Sequence, residues 1–95
     1  MGLEQVELVI EVENEFGIAL DRADDYGQSA ATVGVFYDMV LHAIRERPEL
    51  EVTSRPDLES HVWTRLAAMA AEQGYGLKPE QITRETRFIE DLGYG

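Results

Sequence analysis

Apolar residues return every three or four positions in three separate stretches of this chain, and glycine or proline closes each stretch. That period is the helical one, so each stretch must bury one face against its neighbours. The clearest stripe is Leu58, Val62, Leu66 and Ala70, with Met69 beside it. Pro56 suits the start of a helix over about Asp57 to Gln73, and Gly74 and Gly76 stop it. A second helix is predicted from about Val33 to Glu46, where Val33, Phe36, Val40 and Ile44 form the stripe. Thr32 is its expected N-cap, Arg45 and Arg47 suit its negative end, and Pro48 closes it. The first stretch runs from about Leu3 to Phe16. Its apolar residues Leu3, Val6, Val9, Ile10 and Phe16 suit a stripe that Val12 widens. Val6–Val12 could pass for a strand, but Leu8, Val9 and Ile10 are consecutive and break a period of two. We read it as a helix, with Gly17 as its C-cap.

The connections are short of regular structure. Residues 48–56 hold two prolines and no stripe, so they read as a connector that could reach roughly 30 Å if extended. Residues 75–95 read as a long loop with two anchors: a helical turn over Lys78–Ile82, and Phe88, Ile89 and Leu92 directed into the core. The expectation is one all-α domain over residues 1–95, a bundle of three main helices plus a short turn. A domain of this size buries roughly 60–65% of its unfolded surface, enough for a small core.

Charge narrows the function. Nineteen acidic residues face eight basic ones, giving a net charge of −11. Residues 1–25 carry eight acids against Arg22 alone, a local −7. Such a surface repels a phosphate backbone and anionic lipid, so neither nucleic acid nor membrane is an expected partner, whereas a basic protein surface is attracted. The chain has no cysteine, which excludes a disulfide framework and a thiolate zinc site. No apolar run nears the roughly 20 residues that span a bilayer. The first 21 residues carry no Lys or Arg, so no signal peptide is read and a cytoplasmic protein is expected.

Two segments resemble one family, in inverted order. Residues 79–93, Pro-Glu-Gln-Ile-Thr-Arg-Glu-Thr-Arg-Phe-Ile-Glu-Asp-Leu-Gly, resemble the long first loop of acyl carrier proteins. Residues 3–18, Leu-Glu-Gln-Val-Glu-Leu-Val-Ile-Glu-Val-Glu-Asn-Glu-Phe-Gly-Ile, resemble the helix that follows that loop in the family. Thr32-Val33-Gly34 opens what looks like the family's last helix, and residues 58–77 look like its first. The resemblance therefore implies a circularly permuted acyl-carrier-like bundle of three or four helices. Residues 1–47 resemble the second to last helices, 48–56 the connector, and 57–95 the first helix and long loop. Exchange of one helix between two chains would satisfy the same sequence, so a monomer or a helix-swapped dimer is expected.

The family carries 4′-phosphopantetheine on the serine of an Asp-Ser-Leu motif at the start of its second helix. A phosphate there meets free backbone N–H groups and the positive end of the helix dipole. Aligning Leu3 with the motif leucine puts Gly2 in the place of the serine and Met1 in that of the aspartate. Glycine offers no hydroxyl, so no phosphopantetheine is expected on this chain. Ser29, Ser54 and Ser60 lack the motif. The resemblance also implies a partner-recognition face of Glu4, Glu7 and Glu11, which share one side of the helix at i, i+3 and i+7, with Leu3 and Ile10 flanking them. Its partners would be carrier-dependent synthases or transferases with basic patches.

Other constellations carry less. Asp21, Asp24, Asp25 and Gly27 miss the calcium-loop pattern, since the glycine is one place late and Thr32 stands where the glutamate belongs. His42 and His61 lie on separate helices without ligand spacing, so no metal site is read. Glu90 and Asp91 have no partner for acid–base work, and no nucleophile–base–acid set exists, so no catalysis is expected. Gly74-Tyr75-Gly76 and Gly93-Tyr94-Gly95 read as turns, and Trp63 and Met69 as core or core-edge residues. Three functions follow: an acyl-carrier-like protein of fatty-acid or polyketide-type biosynthesis acting by protein recognition; a genuine carrier whose serine lies outside or was lost from this chain; or an acidic regulatory interaction module.

Overall fold

The computed structural model describes residues 3–20 and 32–94, apart from the Leu3 side chain. These residues form a small all-α bundle with three helices and no strand: α1 over Leu3–Phe16, α2 over Val33–Arg45 and α3 over Leu58–Gln73. Single 3-10 turns lie over Glu51–Ser54 and Pro79–Gln81. The helix expectations hold to within a residue. Among the described residues, no helix is long and apolar enough to cross a membrane.

The breakers act as their chemistry requires. Gly17 takes φ +70° beyond α1, where its N–H donates to the Glu13 carbonyl at 2.9 Å and Ile18 N–H to the same oxygen at 3.2 Å. A side chain with a Cβ is strained in that left-handed turn. The Glu13 carboxylate also accepts from Leu20 N–H at 2.8 Å, so one residue organises the whole exit. Asp57 stands before α3, but its carboxylate pairs with Arg55 at 2.9 Å and leaves the helix N-terminus without a side-chain cap.

Helix α3 is shared by its neighbours. Glu15 of α1 pairs with Arg65 at 2.6 Å, and Glu11, one turn earlier, accepts from Gln73 Nε2 at 3.1 Å. Numbers fall along one helix as they rise along the other, so α1 and α3 run antiparallel. On the other side, Arg45 pairs with Glu59 at 2.6 Å and the Tyr37 ring meets Trp63 edge-on at 5.3 Å, so α2 is antiparallel to α3 as well. Leu8, Val12, Val33, Val40, Ile44, Val62, Leu66 and Ala70 fill the core between them.

The buried face of α1 differs from the stripe read in the sequence. Gln5, Leu8, Val9, Val12 and Phe16 are buried, while Val6 and Ile10 remain 40% and 42% exposed. Both sets have helical spacing, so periodicity alone did not choose between them. The anchors of the final segment also differ. Phe88 and Leu92 are buried as expected, but Ile89 is 60% exposed, and Tyr94, read as part of a turn, is buried.

That segment closes the bundle by two devices. The first four N–H groups of a helix have no partner within it. At α2, Val33 N–H donates to the Thr86 carbonyl and Gly34 N–H to the Arg84 carbonyl, both at 2.9 Å. Val35 N–H goes to the Thr32 hydroxyl at 3.3 Å and Phe36 N–H to the Thr32 carbonyl at 3.2 Å, so the N-cap expectation holds. At the end of α3, Gly74 N–H bonds to Ala71 rather than Ala70. The Tyr94 hydroxyl donates to the Ala70 carbonyl instead, at 2.8 Å. The Tyr94 ring lies 5.2 Å from Phe88, which meets Phe36 edge-on at 5.9 Å.

Gly34 makes the first device possible, because a Cβ there would stand 2.7 Å from the Arg84 carbonyl oxygen. Helix propensity alone would favour alanine by ~1 kcal/mol. The clash is with backbone and outweighs it, so Gly34→Ala is expected to destabilise by ~1–3 kcal/mol in urea unfolding. Tyr94→Phe keeps the ring and leaves the buried Ala70 carbonyl without the hydroxyl. It is expected to lower stability by ~1–2 kcal/mol, read as a drop in Tm.

Candidate functional site

The outward side of α1 carries the residues singled out for recognition. Glu7 is exposed, and Glu4 and Glu11 are half-buried on the side that turns toward α3. Ile10 is exposed on the other flank, one turn beyond Val6. Val6 and Ile10 thus form an open apolar pair beside Glu7. The Leu3 side chain and Gly2 lie outside the described residues.

The three carboxylates are not equivalent. Glu11 is tied to the last residue of α3 by the Gln73 amide. Glu15, one turn further and absent from the sequence reading, continues the same edge and holds Arg65. The Arg65 guanidinium hydrogen-bonded to Glu15 lowers its carboxyl pKa below the usual range, against a smaller upward push from burial. Tyr94 lies nearer the Gln73 end of α3, where its hydroxyl meets the Ala70 carbonyl. Burial pushes its phenol well above the ordinary value, and the Glu11 and Glu4 carboxylates push it further. The final segment packs on the end of α3 that also holds Glu11: Tyr75 N–H donates to the Leu92 carbonyl at 2.8 Å, and a Cβ at Gly74 would stand 2.8 Å from that same oxygen. Tyr75, 70% exposed, flanks Gly93 beside this junction.

The remaining candidates serve local structure. The Ser54 hydroxyl donates to the Glu51 carbonyl at 2.8 Å and that of Ser60 to the Asp57 carbonyl at 3.2 Å. His42 pairs with Glu46 on the same helix at 2.7 Å, both exposed, while His61 stands edge-on to Phe16 at 6.4 Å. Asp91 accepts from the Arg87 N–H at 2.8 Å, and Glu90 holds the Arg87 side chain at 2.6 Å, so the pair builds a turn. Met69 is buried, and Trp63 is half-buried at the core edge. Ser29 and the acidic turn of Asp21, Asp24 and Asp25 lie outside the described residues.

Gln73, Arg65 and Tyr94 shape this surface and were not found by the sequence reading. Their contacts span 62, 50 and 24 residues. The one local signal was the pairing of Glu11 with Glu15 at i, i+4, which invites donors from a neighbouring helix.

Because the Glu15 carboxyl is lowered in the fold, its contribution is present above its unfolded pKa and lost as pH falls through the folded one. Arg65→Met is expected to lower stability by at most ~1 kcal/mol near neutral pH, since the pair is partly exposed and screened. The gap from the parent protein should close as pH falls through the carboxylate range, and shrink in high salt. Denaturant titrations at several pH values check both.

Neither protein-family models, nor curated proteins, nor solved structures yielded a match to this chain.

Proposed function

We propose that this chain is a cytoplasmic acyl-carrier-like domain in circularly permuted order, serving fatty-acid or polyketide-type biosynthesis. It acts by offering the outward side of α1 to a basic patch on a carrier-dependent synthase or transferase, and carries no phosphopantetheine itself. The observation that supports this reading is the packing of the final segment. Residues 79–93 resemble the family's loop, and α1 resembles the helix that this loop leads into. Tyr94, directly after that segment, is held by the Ala70 carbonyl and lies within the field of Glu4 and Glu11. Gln73 at the end of α3 donates to Glu11 of α1 and Gly74 beside it packs on Leu92, so both ends of the sequence meet the same end of α3, which supports the permuted reading.

The chemistry of the face fits the role. Glu7 supplies exposed charge, and Val6 and Ile10 supply apolar contact beside it. Charges at the rim of an interface steer association and fix register, while a small apolar centre supplies the area that is desolvated.

Two measurements test the proposal. Incubation with a phosphopantetheinyl transferase and coenzyme A should leave the intact mass unchanged. A stoichiometric adduct would instead make the chain a working carrier. Glu7→Lys combined with Ile10→Ser should weaken binding to a carrier-dependent synthase roughly tenfold or more, about 1.4 kcal/mol, with Tm little changed. Binding that is indifferent to both substitutions would remove this face from the proposal and favour the regulatory-module reading.

A further inference from the structure

We draw no further inference here: the strongest candidate, the open hollow between Leu20 and the α2 face of Met39, His42 and Ala43, has an apolar floor, and nothing in the structure shows what covers it.

Discussion

Two backbone hydrogen bonds, from Val33 and Gly34 to the carbonyls of Thr86 and Arg84, hold the largely irregular final segment to the start of α2. A helix end that is not paired with water needs partners for its leading N–H groups, and here a distant loop supplies them. The loop gains fixed carbonyl positions, and α2 gains a cap that its own sequence supplies only in part. The arrangement needs a residue without a side chain at the contact, and Gly34 is that residue. Phe88, Leu92 and Tyr94 then follow into the core, so a segment with almost no regular secondary structure serves as the fourth wall of the bundle.

The relative size of the contributions decides what each contact does. The ion pairs between α3 and its neighbours are partly exposed, and pairs of that kind contribute about 0–1 kcal/mol each. A buried valine or leucine contributes roughly 1.5–3 kcal/mol, and Leu8, Val40, Val62 and Leu66 are fully buried. Apolar burial therefore holds the helices together. Glu15–Arg65, Glu11–Gln73 and Arg45–Glu59 act mainly on register, selecting which turn of α3 stands opposite which turn of its neighbours. The connector contributes in the same way: Leu50 and Val52 pack on the core, and the Thr53 hydroxyl donates to the Arg47 carbonyl at 3.1 Å.

What was legible in the sequence was what local chemistry decides. Thr32, Pro48 and Gly74 marked helix ends because a capping hydroxyl, a missing donor and a flexible residue act within one turn. The choice of buried face on α1 was not local. Gln5, Leu8, Val9, Val12 and Phe16 compete with Val6 and Ile10, and only the neighbouring helices settle which side turns inward. Tyr94 was misread for a related reason. An aromatic residue between two glycines carries the signature of a turn, while its partner, the Ala70 carbonyl, is a backbone group that no residue type announces. The candidate site was legible as a row of carboxylates, but not which of them would be drawn against α3.

That last distinction narrows what the acidity of the chain can do. Like charges at i, i+3 and i+4 disfavour an isolated helix by a few tenths of a kcal/mol per pair. On α1 the fold answers this repulsion unevenly. Arg65 takes Glu15 and Gln73 takes Glu11, so those carboxylates are committed to setting the register of α1 against α3. Replacing them would disturb the fold as well as any docking, and a loss of binding there could not be assigned to either. Glu7 stands clear of these contacts in the exposed part of the helix, next to Val6 and Ile10. A docking surface is therefore better sought in that compact mixed patch than in the net charge of −11, most of which would attract any basic protein equally. Selectivity in such a surface has to come from the apolar pair and its spacing from Glu7, because long-range charge steers encounters without choosing among basic partners.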